Sequence, residues 1–232
     1  MNLNYIAIIP ARGGSKGVPK KNIKNFLGKP LILHSIDYAK ESNFINEIIL
    51  TTDSEEIMKI GNQHNITVVK RPDNISGDEA TTESAINHVI SSMKYPENTV
   101  YILLQPTSPL RPKNSLDEMI NQFNIYKYDS MLSISPIHPL TWKINNRKPE
   151  CMYDYQNRPR RQDFKDEDLI YDENGSVYIF KHNLFIKELN RLGGKIGSFI
   201  FSEEYGKQID TPLDFDLLET IGKYLEGVID AK

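Results

Sequence analysis

The chain has 232 residues, a formal net charge of −3 at pH 7, and 39% hydrophobic and 25% charged residues. That is the composition of an ordinary globular protein long enough to bury one substantial α/β core. The slight negative charge excludes a broad nucleic-acid footprint, so any basic site must be local. No apolar run approaches the ~20 residues of a membrane span. The single cysteine, Cys151, excludes an internal disulfide and fits a reducing compartment.

Tyr5–Pro10 is an apolar run without a charged segment ahead of it, and it reads as a first buried strand rather than a signal peptide. The expected location is therefore the cytoplasm. In Leu31–Ser42, Ile32, Ile36 and Ala39 recur at helical spacing. Glu47–Thr52 reads as a strand, Ser54–His64 as a helix, Ile66–Lys70 as a strand, Thr81–Met93 as a helix and Val100–Gln105 as the most apolar strand. Alternation of this kind implies crossover connections, hence a Rossmann-like, mainly parallel sheet with helices on both faces. From about Ser135 to Glu173 the rhythm breaks into a stretch rich in Pro, Asn, Arg and Asp, and it resumes at Gly175–Phe180. A polar excursion of that length implies a functional role or packing on a partner. A last helix spans Pro212–Glu226, with Thr211 as N-cap, Pro212 at the first helical position and Asp214 completing the cap.

In such sheets ligands bind beyond the carboxyl ends of the strands. The loop after the first strand is Ala11-Arg12-Gly13-Gly14-Ser15-Lys16-Gly17-Val18-Pro19-Lys20-Lys21-Asn22. Its glycines allow close backbone approach and a nest of N–H groups, and Arg12, Lys16 and Lys21 add positive charge, the combination a triphosphate needs. It is neither the Walker A motif nor the dinucleotide fingerprint. The five histidines show no zinc-ligand spacing.

The same loop resembles the N-terminal signature of CMP-sialic acid synthetases, the acylneuraminate cytidylyltransferases. The resemblance extends through TTD at Thr51–Asp53, RP at Arg71-Pro72, LLQPTSPLR at Leu103–Arg111, PRRQ at Pro159–Gln162, ENGSVYIF at Glu173–Phe180 and QIDTPLDF at Gln208–Phe215. It implies a single cytidylyltransferase domain in which CTP and an acidic nine-carbon keto sugar give a CMP-sugar and pyrophosphate with Mg²⁺ as cofactor. Residues 11–16 (Ala11, Arg12, Gly13, Gly14, Ser15, Lys16) and Lys21 would hold phosphates, Asn22 would face the cytosine, and Arg71 would serve the nucleotide. Thr81 is either a hydroxyl near the base or a helix cap. Gln105 would orient a sugar or phosphate oxygen. Arg111 has two readings, a ligand contact or part of the turn that starts the next helix. Arg160, Arg161 and Gln162 would serve the sugar acid from the excursion, which also implies a homodimer through residues 135–173, and Asn174 would contact the sugar. Asp210 would be the magnesium ligand, and Arg12, Lys21, Gln105 and Asp210 the groups closest to the chemistry. Asp53 reads as structural or as a helix cap. No membrane or nucleic-acid partner is expected.

Three positions depart from the family pattern. Gln208 stands where many relatives carry an acid, Asp172 stands where an arginine often lies two residues before Asn-Gly, and the stretch between Gln162 and Asn174 is about three residues longer. The last two leave the sugar open among N-acetylneuraminate, legionaminate, pseudaminate and similar acids. Two alternatives remain: a CMP-Kdo-type or other sugar nucleotidyltransferase, and a catalytically inactive nucleotide-binding regulator.

Overall fold

The structure is a computed structural model that describes residues 3–165 and 168–227. Its centre is a seven-stranded sheet. β1 (Asn4–Pro10) is buried along its length because Tyr5, Ala7 and Ile9 point to one face and Ile6 and Ile8 to the other. The first face is covered by α1 (Leu31–Lys40), α2 (Glu55–Gln63) and α4 (Ser115–Ile125), and the second by α3 (Thr82–Met93) and α5 (His182–Glu188). Period-two alternation in the strand thus meets apolar helix stripes on both sides.

The remaining sheet strands are β4 (Ile45–Thr52), β5 (Thr67–Lys70), β6 (Thr99–Leu104), β7 (Ser130–Ile137), β10 (Ile170–Lys181) and β11 (Ile196–Ile200), and a two-strand ladder joins β2 (Asn25–Phe26) to β3 (Lys29–Pro30). The spatial order is β11-β7-β10-β6-β1-β4-β5. β1 is parallel to both β4 and β6, β5 is parallel to β4, and β7 to β11, whereas β10 runs antiparallel to β6 and β7. The sheet is therefore mainly parallel with one reversed strand. Successive strands leave β1 in opposite directions, so the loops after β1 and β6 open a crevice at a topological switch point.

The excursion is shorter than the sequence implies. β7 continues through Ile137 and β10 begins at Ile170, so both ends of the 135–173 stretch belong to the central sheet. Serine-rich alternation and Pro136 in β7 disguise it as loop. Between them lies a separate hairpin of β8 (Trp142–Asn145) and β9 (Lys148–Cys151), with nearly every residue exposed.

A satellite core of Val18, Phe26, Leu31, Leu110, Ile209, Phe215 and Leu218 binds the glycine-rich loop to the loop after β6 and to α6 (Pro212–Leu225). α6 starts as its sequence implies. Thr211 Oγ1 accepts from Asp214 N at 3.2 Å, and Asp214 Oδ2 accepts from Thr211 N at 2.7 Å. Thr211 Oγ1 also donates to Asp214 Oδ2 at 2.8 Å, and that bond first, then those from Thr211 N and Asp210 N, hold the Asp214 carboxyl below its usual pKa. None of the described helices is long and apolar enough to cross a membrane.

Candidate functional site

A cleft of about 300 Å³ opens at the carboxyl ends of β1, β5 and β6. Its walls include Arg12, Ser15, Lys21, Asn22, Arg71, Thr81, Gln105 and Asp210. Residues up to 198 positions apart in sequence, counted from 12 to 210, thus converge there.

The glycine-rich loop is held at fixed points. Ala11 N donates to Thr51 O at 3.0 Å, and Gly13 N donates to Asp53 Oδ1 at 2.8 Å. Those two N–H groups are consumed by the fold, which narrows the expected anion nest; Gly14 and Ser15 make no hydrogen bond among the described residues. Asp53 is structural, and Ser54 caps α2. Asn22 Nδ2 donates to the Arg12 carbonyl at 2.9 Å, so the amide chosen to face a base also closes the loop upon itself. Gly17 presses against residue 210, where a Cβ would overlap the Asp210 carbonyl oxygen. Only glycine permits that approach.

Lys21 is 9% exposed. Its Nζ donates to the Ile209 carbonyl and lies 3.7 Å from Asp210 Oδ1. Desolvation lowers its pKa, and the Asp210 carboxylate opposes that shift. Arg71 is also buried and donates through Nη2 to Thr51 O at 2.9 Å, while its Nε has no partner. Desolvation lowers its pKa too. A buried guanidinium with an unused donor in a cleft wall is suited to an oxyanion.

Asp78 escaped the sequence reading. Its carboxylate lies 2.9 Å from Arg12 Nη1 and 2.7 Å from Lys16 Nζ, and Arg12 also donates to Gly77 O at 3.1 Å. Bonds from Lys16 first, then the field of both cations, lower the Asp78 pKa. A carboxylate thus satisfies the two side chains expected to grip phosphate. Ala80 and Thr82 also line the cleft without any motif having marked them, and Thr107 does so from within the Leu103–Arg111 motif. Thr81 is an N-cap whose Oγ1 accepts from Ser84 N at 3.1 Å, and it lines the cleft as well.

The residues assigned to the sugar side behave differently. Gln105 lines the cleft, but Arg160, Gln162 and Asn174 do not. Arg160 is exposed, and its guanidinium fork is occupied by Asp163 at 2.8 and 2.9 Å. Gln162 is exposed beside it, and the Arg161 side chain lies outside the described residues. Asn174 requires a correction. It is 1% exposed, and its amide is used inside the protein: Nδ2 donates to Ser135 Oγ at 3.0 Å, while Oδ1 accepts from Ser133 Oγ at 2.6 Å and Ser176 N at 3.1 Å. With Gly175 at φ +65° it forms an irregularity within β10 rather than an exposed Asn-Gly turn. Its carbonyl accepts from Ser108 Oγ at 3.2 Å, which ties it to the loop after Gln105.

A cytidylyltransferase family model matches residues 6–225. The chain belongs to the cytidylyltransferase family. It is 31% identical over 235 residues to a CMP-N,N'-diacetyllegionaminic acid synthase of Legionella pneumophila, covering 94% of this chain and 96% of that protein. It is 32% identical over 216 residues to an N-acylneuraminate cytidylyltransferase of Streptococcus agalactiae, covering 90% of this chain and 51% of the relative. This cytidylyltransferase chain spans about half the length of such acylneuraminate relatives. Among solved structures, a CMP:2-keto-3-deoxy-manno-octonic acid synthetase complexed with CTP superposes with a TM-score of 0.70 at 17% identity, covering 96% of this chain and 99% of that one. At that identity the likeness concerns the fold.

Proposed function

We propose that the protein transfers the cytidylyl group of CTP to an acidic nonulosonic sugar, releasing pyrophosphate. What supports this is the convergence of Arg12, Ser15, Lys21, Asn22, Arg71, Gln105 and Asp210 on one cleft at the switch point of a cytidylyltransferase fold. The legionaminic acid relative, matched over nearly its whole length, supports the sugar class.

The anomeric hydroxyl oxygen bonds to the α-phosphorus as the bond from that phosphorus to the β-phosphate bridging oxygen breaks, and the pyrophosphate departs with the electron pair. Such transfer is mainly a matter of positioning and charge stabilisation. Arg12, Lys16, Lys21 and Arg71 provide the cations. Lys21, desolvated and fixed between Ile209 and Asp210, interacts more strongly with a phosphate than an exposed lysine does. Binding the triphosphate displaces Asp78 from Arg12 and Lys16. Gln105 orients the sugar, and the hydroxyl proton leaves without an assigned side-chain base.

The donor set fits magnesium. Among the described residues no three His, Cys, Asp or Glu side chains gather as a metal cage, but Asp210, its side chain 73% exposed, stands on the cleft wall. Mg²⁺ takes one or two carboxylates and completes its shell with water and phosphate oxygens. Gln208 is a poor second ligand because its Oε1 accepts from Thr107 Oγ1 at 3.3 Å and its amide packs on Gly175. Asp210 would hold the ion, which would supply charge neutralisation on the phosphates and acidity for the attacking hydroxyl.

The same proposal places the protein in the cytoplasm, where CTP is made, and pairs two copies through the hairpin lobe. The second copy then brings Arg160, Arg161 and Gln162 toward the sugar. Pyrophosphate release across CTP, ATP, GTP and UTP with a panel of nonulosonic acids and Kdo tests the assignment. Release that requires CTP and a nine-carbon acid is expected; equal use of the four nucleotides, or preference for Kdo, refutes it.

A further inference from the structure

Arg111 lies behind the cleft rather than in it. Its guanidinium sits beneath the loop that joins β6 to α4. Nη2 donates to the Gln105 carbonyl at 2.8 Å and to the Ser176 carbonyl at 3.3 Å, and Nη1 donates to Ser35 Oγ at 3.1 Å. The Tyr38 ring covers the guanidinium at 5.2 Å. Nε is shielded from solvent without a partner. Burial lowers the pKa to about 10, and among the described residues no carboxylate acts on it. A shielded cation without a counter-ion is costly, and a turn that merely begins a helix does not need one. α4 in fact starts at Ser115 without help from Arg111.

The three acceptors explain its place. Gln105 is the first residue beyond β6, Ser176 belongs to β10, and Ser35 to α1. Gln105 O also accepts from Ser108 N at 3.1 Å, and Gln105 N donates to Ser176 O at 3.4 Å. Both backbone polar groups of Gln105 are thereby fixed, and only its side chain is left to face the cleft. A planar fork can join carbonyls from two strands and a hydroxyl from a helix at once, whereas an ammonium cannot reproduce that spread.

We propose that Arg111 is a positioning residue that holds the Gln105 carboxamide in its working orientation for the sugar substrate. This rests on the cytidylyl-transfer function proposed above, and specifically on Gln105 contacting the sugar acid.

The experiment is a double-mutant cycle with CTP saturating and the nonulosonic acid varied. Arg111→Lys is expected to lower kcat/KM for the sugar acid about tenfold, the worth of one charge-assisted hydrogen bond, with the KM for CTP unchanged. In a Gln105→Ala background the same substitution is expected to cost less than about twofold, since coupled residues are non-additive. Ser35→Ala, remote from the cleft, provides a second probe should the lysine variant fold poorly; its smaller loss must also vanish in the Gln105→Ala background. Equal losses in both backgrounds, together with a lowered Tm, overturn the positioning role and leave the function standing. Gln105→Ala turning over at the parent rate overturns the assignment of Gln105 and this inference with it. Pyrophosphate release by the parent with other sugar classes alone overturns the function itself.

Discussion

The two polar stretches of this chain, the glycine-rich loop of residues 11–22 and the excursion around residues 138–169, both break the strand–helix rhythm and differ in how they are held. The loop is tied by Thr51, Asp53, Ile209 and its own Asn22, and Val18 anchors it in a satellite core. The excursion carries a two-stranded hairpin in which Trp142 and Ile144 remain more than half exposed, and its polar bonds are mostly local, such as Arg160 with Asp163 and Asn157 with Asp154. An isolated hairpin is marginal in water. Polar sequence thus makes rigid architecture only where distant backbone converges on it.

Gly17→Ala breaks the rigid side of the comparison. The added methyl cannot coexist with the Asp210 carbonyl, so the loop must withdraw. Overpacking costs about 1–3 kcal/mol, which predicts up to about a hundredfold loss in kcat/KM for CTP in steady-state assays, with the circular dichroism of the core preserved.

Asp210→Asn tests the electrostatics of the same contact. The Asp210 carboxylate raises the Lys21 pKa against desolvation, which lowers it. Without it Lys21 loses its proton at a lower pH, so metal-free CTP binding, followed calorimetrically, should begin to weaken at a lower pH than in the parent. An alkaline limb that stays in place would show that Lys21 is not the titrating group.

Asp78→Asn removes an anion that already occupies Arg12 and Lys16. Exposed ion pairs are weak and screened by solvent, so CTP should bind only a few-fold more tightly, up to about fivefold. Weaker binding would give Asp78 a direct part in holding the substrate.

The smallest effect on the single chain is expected at the hairpin. Trp142→Ser with Ile144→Ser replaces exposed apolar surface, and such changes usually stay within about 0.5 kcal/mol of stability. On the pairing of two copies proposed above, sedimentation should nonetheless shift toward the monomer as sugar turnover falls. Unchanged sedimentation would remove the hairpin from the subunit contact.

Legibility from sequence followed the same division. β1, β6 and α6 carry continuous apolar runs or a complete cap, and their positions follow from period and capping alone. α4 begins at Ser115 after Asn114, an N-cap residue that is left-handed and makes no side-chain cap bond, so only the acidic first turn of Asp117 and Glu118 marks its start. β7 goes unmarked because three of the four residues it buries, on its two faces, are the serines Ser130, Ser133 and Ser135, with Met131 the fourth. In the site, residues inside long motifs were findable, whereas Asp78 becomes visible only when Arg12 and Lys16, more than 60 positions earlier, are brought beside it. The resemblance assigns Asn174 to the sugar, while here its amide cross-links buried serines.

The contact of Gly17 with residue 210 also has a consequence for biosynthesis. The glycine-rich loop precedes the Ile209–Asp210 backbone in the chain, so it is synthesised well before the groups that hold it. A nascent chain can pair β1, β4 and β6 early, yet Lys21 finds its acceptor only after α6 has emerged to complete the satellite core. The glycine-rich loop therefore reaches its held conformation only after a partner nearly the whole described chain away has been made.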